Sequence, residues 1–107
     1  EMAKYMVQFS YTDEGLQGLK KEGGSKRREA TRKLVESLGG TLESYYFAFG
    51  DYDGFLIVDG LDNVDMTAAA LIGGASGAVK TRTTVLLTSE EVDEAVKKQG
   101  NYRPPGQ

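Results

Sequence analysis

Any chemistry in this chain must come from carboxylates, phenols and cations, because the sequence holds neither cysteine nor histidine. That excludes thiol nucleophiles, disulfides and thiolate metal sites, together with the usual imidazole base and zinc or haem ligand. The densest set of candidates is residues 44–60, SYYFAFGDYDGFLIVDG. There Tyr52 and Asp53 could serve as hydrogen-bond donor and acceptor at the rim of a pocket. Proton transfer by the pair would also require a carboxyl whose pKa is raised by burial. The same residues suit a tight turn, with Gly50 making the bend, Asp53 accepting from turn amides and Tyr52 packing on a neighbour. Turn chemistry favours the structural reading.

Strand alternation sorts the aromatic residues before that turn. Tyr45, Phe47 and Phe49 fall on one face and read as core. Tyr46 falls on the other with Ala48 and Gly50, which leave room for a ligand beside it. Asp51, Asp53, Asp59 and Asp62 could offer oxygens to a hard cation, but their spacing fits no EF-hand loop, so no metal is expected. Farther along, Lys80 and Arg82 share one strand face and could meet an anionic ligand or acids across a subunit interface.

A basic run forms a second candidate. Lys20, Lys21, Lys26, Arg27, Arg28, Arg32 and Lys33 are seven of the thirteen positive charges. Ser25, Arg27 and Arg28 stand where a helix would open after Gly23-Gly24, and backbone amides with these side chains could hold an anion. A solvated face balancing the acids of a partner subunit is the plainer reading. The run lacks a phosphate-loop motif and lacks the interleaved aromatics of a single-strand nucleic-acid binder.

The elements that must position these residues follow from periodicity. Residues 3–11 alternate, with Tyr5, Val7, Phe9 and Tyr11 on one face and Lys4, Met6, Gln8 and Ser10 on the other. Thr12 caps a short helix that Gly23-Gly24 interrupts. The main helix is expected over residues 25–38, with Ala30, Leu34, Val35 and Leu38 inward and a Glu29–Lys33 pair outside. Strands follow at residues 41–49 and 54–61, the latter apolar on both faces and so covered twice. A second helix over residues 64–72, capped by Asp62 or Asn63, carries an Ala-rich stretch suited to close packing on a sheet. The last strand spans residues 79–88, with Val79, Thr81, Thr83, Val85 and Leu87 on one face. A helix capped by Ser89 then reaches about residue 99, and Pro104-Pro105 keeps the tail extended.

This order predicts an α+β, ferredoxin-like β-α-β-β-α-β domain over residues 1–107, with core 3–88 and a C-terminal helix and tail at 89–107. Its four-stranded antiparallel sheet leaves one face without helices. That face is expected to carry Met6, Leu56, Val58 or their neighbours, too apolar for water. A second copy of the chain is the simplest cover, most simply as a dimer through the open sheet face.

Composition sets outer bounds. A chain of 107 residues, 39% apolar and 27% charged, is an ordinary globule with room for one core. A net charge of −3 argues against a whole-protein nucleic-acid or membrane partner. No charged-then-apolar leader opens the sequence and Glu1 before Met2 reads as an added residue, so a cytoplasmic protein is expected.

The run Phe49-Gly50-Asp51-Tyr52-Asp53 with FLIVDG, after GGTLESYYFA, resembles the signature of the GYD-domain family, small bacterial proteins named for a Gly, a Tyr and an Asp in this hairpin. Gly50, Tyr52 and Asp53 match, with Asp51 intervening. Residues 25–30, Leu38-Gly39-Gly40 and Gly77-Ala78-Val79-Lys80-Thr81 are similar to other family segments, although Lys80 stands where Arg is more usual. The resemblance covers residues 3 to about 90, leaving out the last helix and tail. It implies a dimeric α+β barrel and no agreed activity or cofactor. The resulting expectation is a homo-oligomeric domain that binds or senses a small, partly apolar molecule, neutral or anionic, through Tyr46, Tyr52, Asp53, Lys80 and Arg82. The alternatives are a cofactor-independent enzyme of the α+β-barrel kind and a regulatory, protein- or nucleic-acid-associated module acting through its basic helix.

Overall fold

The computed structural model describes residues 3–107, and the reading of Glu1 as an added residue lies outside them. Strands β1 (Ala3–Tyr11), β2 (Thr41–Phe47), β3 (Gly54–Leu61) and β4 (Val79–Leu86) form one sheet in the order β2-β3-β1-β4. All three pairings are antiparallel. Helices α1 (Asp13–Glu22), α2 (Gly24–Ser37) and α3 (Asn63–Ala75) join the strands, and α4 (Ser89–Val96) follows β4. This is the ferredoxin-like α+β arrangement.

The pleat decides what is buried. Tyr5, Val7 and Phe9 of β1 lie under the helices with Leu42 of β2 and Leu56, Val58 and Leu61 of β3. Val35 and Met66 close over them from α2 and α3. Register then places Met6 beside Ile57 on the opposite face, with Gln8 beside Phe55. The open face therefore carries Met6, Phe55 and Ile57. Leu56 and Val58, expected there, sit one residue out of phase and belong to the core. Open-face apolar residues are only half-buried.

Local chemistry explains the boundaries. Thr12 caps α1 by accepting from the Gly15 amide at 3.1 Å, and its hydroxyl donates to the Gly77 carbonyl at 2.9 Å. Gly23, at φ 89°, separates α1 from α2 in a conformation that side chains resist. α2 starts one residue before Ser25. Glu29 pairs with Arg28 and Arg32, at 3.6 and 3.7 Å, and not with Lys33. α3 is longer than expected because Asp62 and Asp65 form a reciprocal capping box and the helix runs on through Gly73-Gly74. Thr88, not Ser89, caps α4, again reciprocally with Glu91. β4 accordingly ends at Leu86.

The hairpin differs most. β2 stops at Phe47, because the Ala48 amide donates to the Asp53 carbonyl at 2.8 Å and closes a loop across residues 48–53. Phe49, expected in the core, is fully exposed at the loop tip. No helix among the described residues is long and apolar enough to cross a membrane.

Candidate functional site

The five residues proposed from sequence as a ligand pocket do not converge. Tyr46, Phe55, Gln8 and Arg82 form one row across the open face. Tyr46 stacks near Phe55, with ring centroids 5.8 Å apart, at one sheet edge. Arg82 lies at the other edge, three strand spacings or roughly 14 Å away. Tyr52 does reach Arg82, and its hydroxyl raises the guanidinium pKa by hydrogen bonding. Lys80 is next along the same strand face, opposite Ser10. Tyr52, Lys80 and Arg82 thus form one cluster, and Tyr46 stands apart.

Asp53 does structural work. Its Oδ2 accepts from the Tyr11 amide at 2.7 Å, and its own amide donates to the Phe9 carbonyl at 2.8 Å. These bonds fasten the hairpin loop to the end of β1. Directly after it, Gly54 has no space for a side chain, since a Cβ would fall 2.4 Å from the Phe9 ring.

The anion-site residues also diverge. Gly23 occupies the α2 N-cap and offers no side-chain bond, so Ser25 lies inside the first turn. Arg27 turns towards Glu22, at 3.8 Å, on the sheet side of the helix layer. Arg28 faces a shallow recess of about 250 Å³ over β2 with Arg32, Glu43 and Tyr46. No group of His, Cys, Asp and Glu among the described residues could hold a metal ion.

A larger concavity lies where close packing was expected. A cavity of about 680 Å³ opens between the helices and the sheet. Val7, Phe9, Leu56 and Val58 make its floor, and Met66 lies at its side. Its roof comes from small residues, Gly15 and Gly18 of α1, Ala30 of α2, and Ala69 and Ala70 of α3. These leave unfilled the volume that larger side chains would occupy. Ala30 is exposed and Leu34 only half-buried for this reason. On the β4 side the cover is thinnest, with Val85 and Ile72 each 55% exposed.

Ser76, Thr81 and Thr83 line the β4 side of the cavity, and a second polar group, which holds its charged residues, lines the other side. Tyr45, Thr31 and Arg27 line it together with Tyr11, Glu14 and Glu22. Tyr45 stacks on Phe9 with centroids 5.5 Å apart. Burial pushes the Tyr45 phenol well above its ordinary range, and hydrogen bonding with Tyr11 adds to the rise. Thr31 and Arg27 offset only part of it. Tyr45 is therefore a neutral hydroxyl at any ordinary pH, able to donate to a ligand oxygen but not to carry charge.

Tyr45 and Arg27 were visible in the sequence as a core aromatic and a helix cation. Nothing in the one-dimensional pattern joins them, since they stand 18 positions apart across a helix-to-strand turn. The small residues of three helices were the available signal.

A family model described as the GYD domain matches residues 5–96. The match runs through α4, beyond the residue near 90 at which the resemblance was drawn. No curated protein and no solved structure matches the chain.

Proposed function

The chain belongs to the GYD-domain family, and from that premise we propose that it is a cytoplasmic homodimer binding a small, partly apolar, anionic molecule between its helices and its sheet. The observation that carries this reading is the cavity. Its volume, about 680 Å³, falls in the ~300–1,000 Å³ typical of small-molecule sites, and Tyr45, Thr31 and Arg27 line it together with apolar walls. Tyr45 supplies a neutral donor and Arg27 a positive charge. The Glu22–Arg27 pair, at 3.8 Å and with both side chains about one-third exposed, holds little energy. A ligand carboxylate or sulfonate can replace Glu22 as the partner of Arg27 at small cost.

In this reading the open face serves pairing. Its half-buried Met6, Phe55 and Ile57 gain cover from a second sheet, and Lys80 and Arg82 can meet the partner subunit's Asp59 and Glu43. Tyr46 and Tyr52 then act as interface residues and Asp53 as a hairpin anchor.

Anilinonaphthalene sulfonate, an aromatic anion, is a suitable probe. Saturable binding of one probe per protomer is expected from fluorescence titration. Ala69→Phe, which fills the roof, should remove binding while circular dichroism and Tm hold. Arg27→Gln should weaken binding several-fold and flatten its salt dependence. Unsaturable binding, or binding untouched by Ala69→Phe, would exclude the cavity as the site.

A further inference from the structure

The C-terminal arm rests against little of its own subunit. Every residue from 87 to 103 is exposed, and α4 makes no substantial contact with any other element. The radius of gyration is 17.2 Å and the long axis 59 Å, whereas a packed domain of this length has a radius near ~13 Å. Yet the arm is well specified. The Thr88–Glu91 capping box fixes the start of α4, with bonds of 2.9 and 3.0 Å. Thr88 is extended, at φ −77° and ψ 161°, so the chain leaves β4 without turning back.

An isolated helix of eight residues falls below the ~12–15 residues that are marginal in water, so α4 depends on packing. The residues it would bury are Val92 and Val96, one turn apart, with Leu87 before and Tyr102 after, all between 48% and 79% exposed. We infer that α4 and the tail form an exchange arm that packs on a second copy of this chain.

Area and charge both point to a second copy. The four-stranded face measures roughly 19 by 26 Å from strand spacing and rise, so two faces together bury roughly 1,000 Å². That is at the floor for a specific interface, below the ~1,200–2,000 Å² of stable ones. Two exchanged arms, leaving the end of β4 and passing round the sheet edge to the helix side of the other copy, supply the missing area. α4 carries Glu90, Glu91, Asp93 and Glu94. Its complement on the other copy is the α1–α2 ridge, where Lys20, Lys21, Lys26 and Lys33 have no ion pair among the described residues.

The inference rests on the pairing proposed above, and sedimentation of three proteins separates the two. The full chain should be a dimer. A chain ending at Thr88, and the full chain with Val92→Asp and Val96→Asp, should each dimerise at least tenfold more weakly with β-sheet signal retained. Variants that dimerise as tightly as the full chain would overturn the arm and leave the pairing. A monomeric full chain would overturn both. A photo-crosslinker at position 92, in mixed ¹⁴N and ¹⁵N copies, should give mixed-isotope products mapping to residues 13–37. Products confined to one isotope would show that the arm folds back on its own chain and overturn the exchange.

Discussion

The two faces of the sheet are made from the same four strands, and they solve opposite problems. The helix-side face buries Tyr5, Phe9, Val58 and Leu61 to below 5% exposure, yet its cover is built from small residues and leaves a cavity. Among the described residues the open face has no helix over it and carries half-buried Met6, Phe55 and Ile57 beside charged groups. A face that must hold a small molecule needs walls with a gap between them. A face that must hold a copy of itself needs flat register and charges of both signs. On the function proposed above, stability and ligand belong to one side and assembly to the other.

The sharpest way to break that assignment is to truncate one residue on each side. Leu61 is 1% exposed, and Leu61→Ala should cost about 3 kcal/mol, at the lower part of the range for such changes because the neighbouring cavity already relieves packing. Calorimetry should show Tm falling by about 15 °C for a domain of this size. A loss below about 1 kcal/mol would mean that the core does not rest on the helix side.

On the open face, Ile57→Asp should leave Tm of the isolated protomer nearly unchanged while weakening self-association more than tenfold, which is about 1.4 kcal/mol or more. Dilution sedimentation checks it. A variant with a sharply lowered Tm but unchanged self-association would reverse the roles of the two faces.

The fold was legible because each element carried its own signal. β1 follows strict alternation, β3 is a short continuous apolar run, and Thr12, Asp62, Gly23-Gly24 and Gly39-Gly40 mark helix ends by local chemistry. The site was less legible for a physical reason. Gly15, Gly18, Ala30, Ala69 and Ala70 read identically whether the helices close on the sheet or stand off it, and only three-dimensional packing decides. Asp53 was legible in part: turn chemistry marked its carboxylate as an acceptor of backbone amides, but not that the donor is the Tyr11 amide, 42 positions away in sequence. Phe49 looked like core because alternation was carried past the bond from Ala48 to Asp53 that ends β2.

A smaller effect should come from the joint between α1 and β4, which borders the cavity. Thr12 accepts from Gly15 and donates to Gly77, so Thr12→Ala removes a helix cap and a tertiary bond together. The expected loss is about 1 kcal/mol by urea denaturation. Thr12→Ser should recover most of it, because the hydroxyl and not the methyl makes both bonds. Equal losses in the two variants would assign the effect to packing.

The smallest effect distinguishes the faces by pH. Tyr45, on the helix side, has a folded pKa held well above the ordinary phenol value near 10, chiefly by burial. Below about pH 10 the phenol is protonated in both folded and unfolded chains, and its contribution is complete. Above that, the unfolded chain releases the proton while the folded chain retains it, so the unfolded state gains and stability falls as pH rises. Urea midpoints between pH 8.5 and 10.5 should therefore decline more steeply in the natural chain than in Tyr45→Phe. Matching slopes would mean that water reaches Tyr45 freely, and the cavity end where it sits would then be open solvent and not a place where a neutral donor could grip an anion.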